Sequence, residues 1–178
     1  MPEFHKRIII LAIAAGSLLG VSAGPAKADP AVSNDAYGGV HIINHDGLCL
    51  GISGGKDDAP AGQFRCVTHP DQFWHWGTSS NGYKQLINGD GQCLGVAGGS
   101  DKYGARIVGW RCNGHPDQYW TSYLVNEGGT TWEDFANYDP LSNGDEAVLG
   151  IAGGSTKIGA AAVQWAYTAA ANQLWHSE

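Results

Sequence analysis

One residue pattern is written three times along this chain, and that repetition limits the folds open to it more than any other feature. The middle copy opens Cys93-Leu94-Gly95-Val96-Ala97-Gly98-Gly99-Ser100, continues through residues 104–112 and closes on Asp117-Gln118-Tyr119-Trp120. The earlier copy reads Cys49-Leu50-Gly51-Ile52-Ser53-Gly54-Gly55, then Phe64-Arg65-Cys66, then Asp71-Gln72-Phe73-Trp74. The later copy reads Val148-Leu149-Gly150-Ile151-Ala152-Gly153-Gly154-Ser155, then Trp165-Ala166-Tyr167, then Asn172-Gln173-Leu174-Trp175. The step from the second Cys position to the final Trp is 8 residues in all three copies. Such a period marks one structural unit used repeatedly. Three units are few for an open array with two capped ends, so a closed arrangement is expected.

Residues 1–28 have the organisation of a secretory signal. His5, Lys6 and Arg7 precede an apolar run at 8–21, and Ala26-Lys27-Ala28 supplies a small-x-small cleavage site after Ala28. A membrane-spanning helix needs about 20 apolar residues, more than this run contains. Cleavage removes three basic and one acidic side chain, so the net charge moves from −7 to −9. That charge gives the mature chain no electrostatic grip on nucleic acid or anionic lipid. The expected product is secreted and extracellular, detached from the membrane, monomeric and free of cofactor and metal. Its 150 residues suit one domain, which buries roughly 70% of its unfolded surface.

The four cysteines fall two to a repeat, and export permits disulfides. Four cysteines allow three pairings, and the repeat register selects Cys49 with Cys66 and Cys93 with Cys112. Each bridge closes a loop worth about 3 kcal/mol in the chain-entropy picture. Val148 and Tyr167 hold the equivalent positions in the third copy. Metal ligation is the competing use of these thiols, and no Cys-x-x-Cys spacing supports it.

The elements read as short strands. Val40–Asn44 alternates, His45-Asp46-Gly47 turns, and residues 48–52 return. The second repeat does the same at Tyr83–Asn88 and Gln92–Val96. A third strand is expected at 63–66, 105–112 and 160–167, and the Gln-x-Trp triplets begin a fourth. The glycine pairs at 54–55, 98–99 and 153–154 mark tight loops. Outside the signal no stretch keeps a helical period for a dozen residues, so the fold class is all-β. The alanines around 160 and 170 favour helix by propensity, but the repeat register assigns them to strand and loop. Symmetry breaks where Asn137 and Val148 stand 11 apart, against 5 for Asn44 to Cys49 and Asn88 to Cys93. The third hairpin is therefore longer by six residues, and residues 121–133 lack close counterparts. Trp76 is expected to pack, and Trp132 has no assigned role.

Two catalytic patterns fail in context. Gly51-Ile52-Ser53-Gly54-Gly55 contains Gly-x-Ser-x-Gly, but the other copies carry Ala97 and Ala152 at the serine, and a nucleophile elbow needs strand then helix. His69-Pro70-Asp71 and His115-Pro116-Asp117 resemble a catalytic or metal pair. The third copy reads Ala170-Ala171-Asn172, so a Pro-set turn is the better account.

Three registered Gln-x-Trp units, each preceded by Cys-Leu-x-Val/Ile or its equivalent and an aromatic two residues before the second Cys position, resemble the ricin-type β-trefoil lectins. The resemblance covers residues 37–177, with repeats roughly at 37–80, 81–125 and 132–177. It implies a pseudo-threefold β-trefoil of about twelve strands with Trp74, Trp120 and Trp175 in the shared core. It implies a non-catalytic protein that takes a glycan or polysaccharide, galactose-like or xylan-like, in one shallow pocket per repeat. The stacking aromatics would be Phe64, Trp110 and Trp165, with Phe64 the poorest platform. The polar partners before Gln-x-Trp would be Asp71, Asp117 and Asn172. For Trp110 and Trp165, lateral core packing stays open as the alternative.

The sequence departs from that family at one place. The family carries Asp directly after Cys-Leu, and this chain carries Gly51, Gly95 and Gly150. Losing a charged hydrogen-bond acceptor removes about 1.5–3 kcal/mol. Asp71 or Asp117 would have to substitute, or the loop acids Asp57, Asp58 and Asp101 reach over. The departure and the third-repeat insertion leave a protein-binding trefoil, such as a protease inhibitor or envelope interaction protein, as the second reading. A small hydrolase is the third.

Overall fold

The computed structural model describes residues 37–178; the signal segment expected at 1–28 lies outside them. Repeat 1 holds β1 (Val40–Asn44), β2 (Cys49–Ile52), β3 (Ala59–Phe64) and β4 (Phe73–Ser80). Repeat 2 holds β5 (Tyr83–Asn88), β6 (Gln92–Val96), β7 (Ile107–Arg111) and β8 (Tyr119–Glu127). Repeat 3 holds β9 (Thr130–Asn137), β10 (Ala147–Ile151), β11 (Ala162–Ala166) and β12 (Trp175–Ser177). The described residues contain no α-helix, and the alanine-rich run forms β11 and a 3-10 turn. Pairing and burial outweigh intrinsic propensity there.

The ladders close a ring. Strand β1 pairs with β4, β4 with β5, β5 with β8, β8 with β9, β9 with β12, and β12 with β1. These six strands form a barrel with no free edge, which removes the usual hazard of unpaired backbone. The hairpins β2–β3, β6–β7 and β10–β11 hang from it through Ile43↔Cys49, Ile87↔Cys93 and Ala136↔Val148. The hairpins meet one another at Ala59↔Gly109 and at the bridges Gly62↔Ala161 and Arg106↔Val163. The same three-strand relation thus recurs three times, as expected of a β-trefoil.

Three local readings change. The third strand of repeat 1, expected at 63–66, runs Ala59–Phe64. The Gln of each Gln-x-Trp lies in a 3-10 turn (Pro70–Gln72, Pro116–Gln118, Ala171–Gln173), with the strand starting one residue later in repeats 1 and 2 and two residues later in repeat 3. Residues 121–133 do have a counterpart: β8 and β9 make one long hairpin, from Trp120↔Asn137 to Glu127↔Thr130. Its equivalent, β4–β5, is shortened by a register shift between Trp76 and Ser79. Length and the bulge concealed the correspondence.

The core explains the Gln-x-Trp pattern chemically. Trp74, Trp120 and Trp175 are essentially sealed, with at most 1% exposure. Their indole nitrogens donate to the carbonyls of Leu50 (3.0 Å), Leu94 (2.9 Å) and Leu149 (3.3 Å). The polar edge of each ring is satisfied while its face fills the centre. Each Gln pins the loop before it. Gln118 donates to the Arg111 carbonyl at 3.0 Å and accepts from the Asn113 amide at 3.0 Å. Gln72 holds Arg65 and Val67, and Gln173 holds Ala166 and Thr168, in the same way. Trp76 is only partly packed: it stacks on Phe135 at 6.1 Å yet stays 39% exposed. Both disulfides form as the register selects, Cys49–Cys66 and Cys93–Cys112. His41 Nδ1 lies 2.7 Å from Cys49 Sγ, but the bridge consumes both sulfurs and leaves no thiolate for a metal.

Candidate functional site

Strand register sets the three aromatics in equivalent places. Each lies directly across from the first Cys position: Cys49↔Phe64, Cys93↔Trp110 and Val148↔Trp165. None belongs to the central core. Phe64 and Trp110 are half-buried, and Trp165 is 44% exposed. Lateral core packing therefore does not account for Trp165.

A cavity opens at two of these rings. On repeat 2 it measures about 230 Å3 and is lined by Val96, Gly99, Trp110, Asn113, His115 and Asp117 among others. On repeat 3 it measures about 270 Å3, with Ile151, Gly154, Trp165, Thr168 and Asn172 in its walls. The expected partners meet in both, Trp110 with Asp117 and Trp165 with Asn172. On repeat 1, Phe64 and Asp71 flank Gly51: a Cβ there would lie 3.2 Å from Phe64 Cδ2 and 3.0 Å from Asp71 Oδ2. The cavity floors rest on glycine turns in which Gly98-Gly99 and Gly153-Gly154 all have φ near +60°. Glycine adopts that conformation without Cβ strain. Repeat 1 departs, with φ +119° at Gly54 and no 3-10 turn after β2.

The glycines after Cys-Leu now have a physical reason. A Cβ at Gly95 would come 2.7 Å from Asp117 Oδ2, closer than any real Cβ contact. The Asp117 carboxylate thus fills the volume that a side chain on β6 would enter. Its Oδ2 accepts from the Val96 amide at 3.0 Å, and its Oδ1 meets His115 Nδ1. His69 and Asp71 make the same pair on repeat 1. In repeat 3 the polarity reverses: Asn172 Nδ2 donates to the Ile151 carbonyl at 2.9 Å. The acid therefore enters from the Gln-x-Trp turn instead of from the strand. Asp57, Asp58 and Asp101 do not reach over. They face Arg111, Arg106 and Lys102 at 3.4, 3.3 and 3.2 Å, and none lines either cavity.

Several contributors escaped the sequence reading. Asn113 and Thr168 line the cavities one residue after the second Cys position, a signal visible in the register. Tyr103 is placed only by the fold. Its ring packs edge-on against Trp165 at 5.2 Å, and its hydroxyl donates to Asp145 at 2.9 Å. Asn143 bonds both at 2.7 Å. The third-repeat insertion thus folds back on repeat 2, with Leu141 buried and the Ser142 amide donating to the Asp101 carbonyl at 3.0 Å. Trp132 lies between His45 and His176 at 5.2 and 5.7 Å.

Burial pushes the Asp117 carboxyl above its ordinary value of 3.8, against the lowering effect of His115 and the Val96 amide. A folded-state value above the unfolded one favours the fold below the unfolded value. That contribution is lost as pH rises through the folded value. Relative to Asp117→Asn, the parent chain is therefore expected to gain stability as pH falls toward 3.8, then to level off. Paired denaturant melts across that range check it; a difference that shrinks on acidification would contradict it.

Comparison with known proteins agrees with this geometry. The ricin-type beta-trefoil lectin domain matches residues 38–175. No curated protein shows a significant match. Among solved structures, the designed threefold-symmetric protein ThreeFoil shares 24% identity over 78% of this chain and 96% of its own, with a TM-score of 0.66. The exo-beta-1,3-galactanase 1,3Gal43A from Clostridium thermocellum shares 20% identity at a TM-score of 0.68, over 78% of this chain but only 29% of the enzyme. The Macrolepiota procera ricin B-like lectin, solved in complex with lactose, shares 18% identity over 80% of this chain and 95% of its own, with a TM-score of 0.60. With a closed threefold ring, three Gln-x-Trp anchors and a family match over nearly all the described residues, this chain belongs to the ricin-type β-trefoil lectin domain family.

Proposed function

We propose that this protein is a secreted, non-catalytic glycan-binding module, its single domain spanning residues 37–177 after loss of residues 1–28. The observation that carries the reading is the pairing of an accessible indole with a polar side chain in each of two equivalent cavities, Trp110 with the buried Asp117 and Trp165 with the half-buried Asn172. A sugar ring presents an apolar C–H face and a rim of hydroxyls. The indole meets the face, and the carboxylate or amide meets the rim. Phe64 and Asp71 make the third and weakest site, since a phenyl ring is the poorer platform. The fold is shared with a lectin solved with lactose, which supports galactose-containing glycans as the first ligands to try; xylan follows.

Weak sites on one rigid body gain from effective concentration when a polymer bridges them. Titration with a galactan or xylan is therefore expected to show tighter binding than with the monosaccharide. Trp110→Ala and Trp165→Ala are each expected to weaken polymer binding about tenfold, and together to abolish it without unfolding the barrel. Retained binding in the double variant, by calorimetry with a matched circular-dichroism spectrum, would sink the proposal. The two features that suggest a protein-binding trefoil both have local accounts: Asp71 and Asp117 stand beside the glycines of repeats 1 and 2, with Asn172 in that place on repeat 3, and the insertion packs on repeat 2.

A further inference from the structure

A further cavity, of about 160 Å3, lies beyond the loop that walls the repeat-2 site. Ser80, Asn81, Gly114, Pro116, Tyr119 and Tyr138 line it. Residues of that loop alternate: Asn113, His115 and Asp117 face the first cavity, and Gly114 and Pro116 face the second. One thickness of chain separates the two. Tyr138 is 39% exposed and braced edge-on by Tyr83 at 5.2 Å. Its hydroxyl accepts from Asn81 Nδ2 at 3.3 Å. Asn81 is held at φ +51° in the two-residue turn between β4 and β5, so its amide is fixed against the ring. Tyr138 follows Asn137, where repeats 1 and 2 carry His45 and Gly89, so the ring is peculiar to this corner.

The lining chemistry is selective. It offers phenol rings, neutral hydroxyls and one amide, and no charged side chain. An anionic ligand finds no counter-charge there, whereas a neutral sugar finds a ring to stack on and groups to bond its hydroxyls. The geometry points to an accessory subsite in which this tyrosine-lined cavity holds a further neutral sugar residue of a glycan whose first residue lies on Trp110. Repeat 2 then selects oligosaccharides over single sugars. The inference rests on the glycan-binding reading of Trp110 and Asp117.

The test uses the Trp165→Ala chain, so that repeat 2 dominates, titrated with galactose, β-1,3-galactotriose, xylose and xylotriose. One trisaccharide is expected to bind about tenfold tighter than its monosaccharide. Tyr138→Ala should erase that gain and leave monosaccharide affinity unchanged, while Tyr138→Phe keeps most of it. Asn81→Asp, which tolerates the turn and places a charge in the cavity, should lower trisaccharide affinity alone. A chain-length gain that survives Tyr138→Ala, or an equal loss for mono- and trisaccharide, overturns the subsite and leaves the Trp110 site standing. Silence with all four sugars in the folded parent overturns both readings, a pattern distinct from the first two.

Discussion

Trp120→Ala is expected to destabilise the protein by about 3–5 kcal/mol, and Trp74 and Trp175, sealed and bonded in the same way, should behave alike. The indole is fully sealed, and its nitrogen donates to the Leu94 carbonyl at 2.9 Å. Truncation removes the transfer free energy of the ring, opens a cavity where three repeats meet, and leaves a buried carbonyl without its donor. Neighbours cannot collapse into the space, because the barrel ladders fix the surrounding backbone. Trp120→Phe should recover part of the loss by refilling the cavity, but not the hydrogen bond. Urea melts of the three proteins, read at unchanged slope, measure both terms. A Trp120→Ala cost below about 1 kcal/mol would mean that the indole does not carry the centre of the fold.

Gly95→Asp, which restores the residue common at this position in the family, is expected to damage the protein. Its Cβ would enter the space of Asp117 Oδ2, 2.7 Å away. Overpacking of this kind costs about 1–3 kcal/mol, and two carboxylates in one half-buried site oppose each other's ionisation. Repeat-2 glycan binding should fall with stability. In the double variant Gly95→Asp/Asp117→Ala the obstruction is gone and one acid again faces the cavity. That combination should be more stable than the sum of the single changes by at least about 1 kcal/mol, with some binding recovered. Strict additivity in a double-mutant cycle would refute the idea that the two positions compete for one volume.

The repeat register made most of the frame legible. The constant step from the second Cys position to the tryptophan aligned the three Gln-x-Trp units, both disulfides and the third-repeat substitutes, and the family resemblance placed Trp74, Trp120 and Trp175 in the core. The register also gave Phe64, Trp110 and Trp165 one shared place, two residues before the second Cys position, and the ladders set that place opposite the first Cys position. What it obscured were features that bend the register. The bulge between Trp76 and Ser79 hid the kinship of β4–β5 with β8–β9. Residues 138–146 carry no periodic signal for their docking on repeat 2, because Asn143 and Tyr103 meet across distant segments. Trp76 had no repeat partner to reveal that its position on β4 leaves the ring partly in solvent.

The written sequence alone determined an all-β frame of three like units and its bridges, because each depends on spacing within one repeat and each spacing recurs; the indole centre came with the family resemblance. Only the tertiary structure decided how the cavities are furnished. The glycines at 51 and 95 look like a lost acid until the Gln-x-Trp turns are seen to deliver Asp71 and Asp117 into the same volume, while at Gly150 the turn brings Asn172. The tyrosine cavity exists only where the β4–β5 turn, the 113–116 loop and Tyr138 converge. Contacts between loops far apart in the chain follow from side-chain volume and direction in three dimensions, and no linear period encodes them.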